Sequence, residues 1–262
     1  ASLGGGGGGG GGSVPVSVAL DRFTISEGIA LEGLRGDFTA SGGLSGRFTA
    51  RMAGTGAPIE GRLVPQNGGT AIEAQSSDAG RVLLSTGILK SVEGGAMTLR
   101  MVPVAGAQGQ YDGQVVVQGP RLTDAPAIAS LFDAVSVVGL IDQLEGPGIF
   151  FSEVDARFRL TPSRLVLAES SAVGPSMGLS LDGYYDLAQK RLDMQGVFSP
   201  IYVLNGIGSL FTRRGEGLLG FNFTLTGPAS QPQVAVNPLS VFTPAMFREI
   251  FRRPPPNPRG GN

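Results

Sequence analysis

The chain has 262 residues, with 20 Lys and Arg against 21 Asp and Glu, a formal net charge of −1. That balance argues against nucleic acid as a partner, because a phosphate-binding surface needs a basic excess. Cys and His are both absent, which removes thiol and imidazole catalysis, disulfides and the usual zinc ligands. Most enzyme classes are disfavoured, and no catalytic residue, cofactor or metal site is expected.

Taken in order, residues 1–13 contain the nine-glycine run 4–12 and form a flexible linker by composition. No charged and apolar leader precedes it, and no apolar run approaches the ~20 residues of a membrane-spanning helix. From Val14 the dominant signal is strand alternation. Val14, Val16, Val18 and Leu20 alternate with Pro15, Ser17 and Ala19. The pentapeptides Gly36-Asp37-Phe38-Thr39-Ala40 and Gly46-Arg47-Phe48-Thr49-Ala50 repeat ten residues apart, the spacing of successive antiparallel strands joined by short turns. Turns are predicted at Gly42-Gly43, Asn67-Gly68-Gly69, Ser77-Asp78-Ala79-Gly80 and Gly94-Gly95. Met97, Leu99 and Met101 share one parity, as do Val115 and Val117.

Over 124–144 the period changes. Ile128, Leu131, Phe132, Val135, Val138, Leu140, Ile141 and Leu144 fall at helical spacing. This predicts an amphipathic helix capped by Asp124, with Pro126 in its first turn and Gly146-Pro147-Gly148 as its stop. Strands then resume. Phe158, Leu165 and Leu167, Leu179 and Leu181, Leu192 and Met194, Phe221 and Phe223, and Val234 and Val236 occupy the apolar positions of alternating segments. Short helices are predicted over 201–211 and 243–252, and a disordered tail over 254–262.

Three motif-like stretches have ordinary structural readings. Gly215-Glu216-Gly217-Leu218-Leu219-Gly220 has the glycine spacing of a dinucleotide loop but leads into a strand instead of a helix. Gly174-Pro175-Ser176-Met177-Gly178 matches a nucleophile elbow, but without a histidine base Ser176 reads as part of a turn. Asp182, Asp186 and Asp193 read as solvated carboxylates flanking turns at Asp182-Gly183 and Lys190-Arg191. The segment Phe247-Arg248-Glu249-Ile250-Phe251-Arg252-Arg253 fits either an anionic membrane surface or a helix capping the end of a sheet.

The alternation places one set of residues inside but does not say how the sheet is used. A two-sheet sandwich and a single sheet curled into a groove both bury the same positions, and periodicity alone favours the sandwich. The second half, however, resembles the C-terminal region of AsmA-like envelope proteins. The resemblance is carried by Gly146-Pro147-Gly148-Ile149-Phe150, by Gly174 to Gly178 with Leu179-Ser180-Leu181-Asp182-Gly183, and by Tyr185-Asp186-Leu187. It continues in Ser199-Pro200-Ile201-Tyr202-Val203-Leu204-Asn205, Gly215-Glu216-Gly217 and Gly227-Pro228. Its most specific stretch is Pro232-Gln233-Val234-Ala235-Val236-Asn237-Pro238-Leu239-Ser240, followed by Phe247-Arg248-Glu249-Ile250-Phe251.

The resemblance implies a mostly β fold over 14–253, an elongated, curled antiparallel sheet forming a repeating groove, with one amphipathic helix and short C-terminal helices. It implies a non-enzymatic protein of the Gram-negative periplasm, part of a longer chain anchored in the inner membrane. Its role would be phospholipid transport between inner and outer membrane, in support of outer-membrane biogenesis. The groove-lining set would then be Phe158, Leu165, Leu167, Leu179, Leu181, Leu192, Met194, Phe221, Phe223, Val234 and Val236. Phe247, Arg248, Phe251 and Arg252 would lie near the membrane surface. The alternative is a scaffold module that binds an outer-membrane assembly protein through its sheet edge.

Overall fold

A computed structural model describes residues 14–26, 28–40, 43–87, 89–134, 145–200, 220–237 and 240. The first half contains strands β1 (Val14–Ser26), β2 (Ile29–Ala40), β3 (Leu44–Met52), β4 (Pro58–Gln66) and β5 (Gly69–Ser76), then helix α1 (Ala79–Thr86). β6 (Val92–Glu93), β7 (Ala96–Pro103), β8 (Tyr111–Gln118), β9 (Arg121–Leu122) and helix α2 (Pro126–Ala134) follow. The chain continues with β10 (Ile149–Phe150), β11 (Glu153–Leu160), β12 (Arg164–Val173), β13 (Gly178–Asp186), β14 (Arg191–Ser199), β15 (Phe221–Pro228) and β16 (Gln233–Asn237).

Thirteen of these strands form one open antiparallel sheet whose order is the order of the chain, from β1 to β16 with β6, β9 and β10 left out. Those three two-residue strands make a small separate sheet. A two-sheet sandwich, the arrangement periodicity alone favours, is therefore not what the described residues form. Each long strand pairs with the next long strand of the chain, mostly through short turns, with longer connections over 77–95, 119–152 and 200–220.

The repeated pentapeptides sit on β2 and β3 and show why the register holds. Phe38 lies opposite Gly46, and Gly36 lies opposite Phe48. The Phe38 ring lies against Gly46, and the Phe48 ring lies over Gly61, its partner on β4, so each aromatic meets a glycine where no Cβ obstructs it. Asn67 and Gly68 both have positive φ, 55° and 75°, the backbone of a tight hairpin whose twist matches the strands it joins.

Three local expectations need correction. Ser77 to Gly80 is not a plain turn, because Asp78 caps α1 by accepting a 3.0 Å hydrogen bond from the Arg81 N–H. The helix ends at Gly87, whose φ of 69° is the left-handed conformation glycine adopts most readily. Asp124 does not cap α2. It has φ 45°, and Ala125 supplies the carbonyl that receives the Ile128 and Ala129 N–H groups, each at 2.9 Å. Asp182-Gly183 is not a turn but the middle of β13, with Asp182 2% exposed and accepting from Gln195 at 2.9 Å. The carboxylates also do not gather, since Asp193 pairs across the sheet with Tyr184 and Asp182 with Gln195. Asp186 does serve a turn, accepting from the Gln189 N–H at 2.8 Å. Gly174 to Met177 is the expected turn, closed by the Gly174 N–H to the Met177 carbonyl at 2.9 Å.

The helical expectation over 124–144 is met by α2 as far as Ala134, and its continuation lies outside the described residues. So do the predicted helices over 201–211 and 243–252, and Phe247, Arg248, Phe251 and Arg252 with them. Among the described residues no helix is long and apolar enough to cross a membrane.

Candidate functional site

Cross-strand pairing sorts the side chains of the large sheet onto two faces, because residues directly opposite each other point the same way. One face is mainly polar: ion pairs and hydrogen bonds cross it over β4 to β12, while over β13 to β15 it is buried at Asp182, Gln195 and Val197. Glu73 on β5 accepts from the Arg62 Nε at 2.9 Å and lies 3.5 Å from Arg100. The Arg62 guanidinium holds the Glu73 carboxyl below its ordinary range. Asp112 takes two hydrogen bonds from Arg159, at 2.7 and 2.8 Å, and these hold the guanidinium pKa above its ordinary value. Gln114 donates to Asp155 at 2.8 Å, and Arg157 lies 3.3 Å from Glu169.

The other face is apolar from one edge to the other. One row can be followed by pairing across all thirteen strands: Val16, Phe38, Gly46, Leu63, Ile72, Met101, Gly113, Phe158, Leu167, Gly183, Met194, Leu225 and Val234. No polar side chain interrupts it. At 4.7–4.9 Å between strands, the row is about 58 Å long, nearly twice the ~30 Å hydrocarbon thickness of a bilayer.

Its neighbour toward the hairpin turns includes Tyr111, Leu160, Leu165, Tyr185 and Leu192, each paired to the next. The row on its other side includes Phe48, Gly61, Leu181, Gly196, Phe223 and Val236. A further row contains Met97, Val117, Val154, Ala172, Leu179, Phe198 and Phe221. All eleven residues expected to line a groove thus lie on one face.

That face is covered unevenly. Ala79 and Val82 of α1 pack with Ala50, Met52, Ile59, Met97 and Val117. Leu131 and Phe132 of α2, both fully buried, pack with Ile149, Phe151, Met177, Phe198 and Phe223. The Phe132 and Phe198 ring centroids are 5.3 Å apart, and Phe198 stacks on Phe221 at 6.5 Å. Leu179, Leu181, Phe221, Phe223, Val234 and Val236 therefore belong to a core closed by α2. Phe158, Leu165, Leu167 and Leu192 belong to neither core and are half-buried. Leu63, Ile72, Leu99, Met101, Tyr111 and Leu160 continue this half-buried zone on β4, β5, β7, β8 and β11. Met194, at the junction, is buried.

Glycines keep the uncovered zone low. A Cβ on Gly113 would collide with the Phe158 ring, and one on Gly61 with the Phe48 ring. Both glycines lie directly opposite the phenylalanine concerned. The rings lie over backbone instead of standing on side chains.

Leu63, Ile72, Leu99 and Met101 extend this face into the first half, beyond the residues expected to line it; the shared parity of Leu99 and Met101 is the sequence signal for them. No such signal marks α1, an eight-residue helix between strands.

A separate cleft of about 480 Å³ lies beside α2, lined by Glu93, Thr123, Asp124, Glu145, Gly146 and Pro147 among others. Its carboxylates do not converge, and among the described residues no group of His, Cys, Asp or Glu is placed to hold a metal ion. No protein-family model, no curated protein and no solved structure matches the chain.

Proposed function

We propose that the chain is a non-enzymatic lipid-handling module that offers its uncovered apolar zone to phospholipid acyl chains. In the fuller form of the reading, it works in the periplasm as part of an inner-membrane-anchored envelope protein. There it moves phospholipid between inner and outer membrane and so supports outer-membrane biogenesis, as the AsmA-like resemblance implies. The observation that supports the lipid reading is the unbroken apolar row, thirteen strands wide, whose members on β4 to β12 belong to neither core and stay partly exposed.

An acyl chain laid along it gains about 0.8 kcal/mol per buried CH₂. The head group can stay in water, so no charge need be buried. Acyl chains slide on such a surface without directional bonds, and no step asks for a nucleophile or a base. The length of the row favours a lane over a one-lipid pocket, because an acyl chain from one leaflet reaches only about half the ~30 Å bilayer core.

The test places charge in the lane away from both covered cores. Ile72→Glu and Leu167→Glu, singly and together, are expected to remove co-purifying phospholipid while the circular dichroism of the sheet stays unchanged. Wild-type lipid content in the folded double variant would overturn the assignment of the lane.

A further inference from the structure

The hairpin connections divide the sheet into two unlike ends. At one end lie the links between β2 and β3, β4 and β5, β7 and β8, β11 and β12, β13 and β14, and β15 and β16. They comprise residues 41–43, 67–68, 104–110, 161–163, 187–190 and 229–232, and Lys190 is the one charged residue among them in the sequence. The rest are Gly, Ala, Ser, Thr, Asn, Gln, Pro, Val and Leu. The links at the other end carry Glu27, Asp78, Arg81, Lys90, Glu93, Arg121, Asp124, Asp133 and Glu145, among others.

The charge-poor end also exposes apolar groups that a water-facing surface has no use for. Leu187 is 37% exposed and Leu44 40%. Tyr184 is exposed, and Tyr111 and Tyr185 lie in the row nearest these turns. Two nearby strand-end charges are paired: Asp112 takes both hydrogen bonds from Arg159, and Arg164 lies 3.9 Å from Asp186.

From this we infer that the turn end of the sheet docks on a lipid bilayer, with Leu44 and Leu187 entering the interface. The hydrocarbon just below the head groups penalises charge, while the interface accepts small polar and apolar groups and favours Tyr at head-group depth. The six links, with Lys190 as their one charge, meet those conditions together, and the apolar row that contains Tyr111 and Tyr185 runs directly behind them. A protein partner would equally tolerate polar links but would not require charge to be nearly absent from all six. The inference rests on the lipid reading only for what crosses the interface: lipid would enter or leave the lane at the turns, not through the covered end.

The chain contains no Trp, so a single introduced one reports its own surroundings. Leu187→Trp and, as a control on α1, Leu84→Trp are to be mixed as full-length protein with vesicles of phosphatidylcholine and phosphatidylglycerol. The emission of the Leu187→Trp protein is expected to shift to the blue on vesicle addition, and to keep that shift in high salt because the contact is uncharged. Leu84→Trp is expected to stay unshifted. Leu44→Asp with Leu187→Asp is expected to lower vesicle co-sedimentation by about tenfold or more, the scale set by the two apolar side chains withdrawn from the interface.

No shift at position 187, a shift at position 84 as large, or a shift abolished by salt would each overturn docking through the turns; the last would trace binding to cationic groups. Lipid extraction from the same preparation separates this inference from the reading beneath it. A blue shift without bound lipid upholds the docking and rejects the lane, whereas bound lipid without a shift does the reverse.

Discussion

At the level of single residues, the alternation of apolar and polar positions was legible in the sequence because a strand has a period of two whatever surrounds it. What a lone residue contributes was less so. Asp182 sits before a glycine, as turn carboxylates do, yet it is buried in β13 because Gln195 opposite supplies a donor. Gly113 carries no signal of its own in the sequence, yet the space its missing Cβ leaves is occupied by the Phe158 ring. Gly113→Ala is therefore expected to cost about 1–3 kcal/mol through overpacking, without backbone strain. Phe158→Leu in the same chain should recover most of that loss, read as denaturant midpoints.

Asp78 gives a residue-scale test with a pH signature. Its carboxyl is held below its ordinary value of 3.8, first by the Arg81 N–H it accepts from at the start of α1 and then by the Arg81 side chain. A depressed carboxyl stabilises the fold only while ionised in the native state. Its contribution is complete above the unfolded pKa and fades as pH falls through the lower folded one. Asp78→Ala should lose about 0.5–2 kcal/mol near neutral pH. The gap between variant and parent should close below pH 3.8, a comparison that equilibrium unfolding at several pH values provides.

Among the elements, α2 shows how far pattern carries and where it stops. Its apolar spacing pointed to a helix laid against the sheet, and Leu131 and Phe132 are fully buried there. Which strands it would cover could not be read, because the answer depends on how β13 to β16 line up by register. Their cover changes the meaning of Phe223, whose side chain is 5% exposed and belongs to the α2 core. A charge at Phe223 would disrupt packing before it tested lipid binding, so lane variants belong on Ile72, Leu167 or Leu165. Phe132→Ala, which empties a fully buried ring site, should cost about 3–5 kcal/mol. If α2 were only loosely seated, the thermal midpoint of that variant would scarcely move.

β1 was expected as an alternating strand and is one, the longest of the sheet at 13 residues. Its Val16, Leu20, Phe23 and Ile25 are 40–57% exposed. The apolar face therefore runs undiminished to this edge, in contrast to β16, where Val234 and Val236 are packed with the α2 core. Edge strands usually carry devices that discourage further pairing. Pro15, which lacks an N–H to donate, is the visible one here.

For the whole molecule, the sequence supported two architectures and local pattern could not choose between them. Stacking of two sheets and extension of one differ only in which strands meet, and a period of two contains no such information. The observed order, each long strand beside its chain neighbour, makes a single wide sheet with one charged face and one apolar face. A protein that folded only to be stable would have reason to cover that apolar face fully, since exposed apolar patches invite association. Here α1 and α2 cover one margin, and the lane beside it stays partly exposed outside both cores.

The central claim is that this lane holds acyl chains. Native mass spectrometry of the purified chain, with lipid extraction from the same sample, tests it most directly. Phospholipid is expected in a stable ratio on the parent protein and absent from the folded Ile72→Glu, Leu167→Glu variant. A lipid-free mass for the parent, unchanged after incubation with phospholipid vesicles, would contradict it.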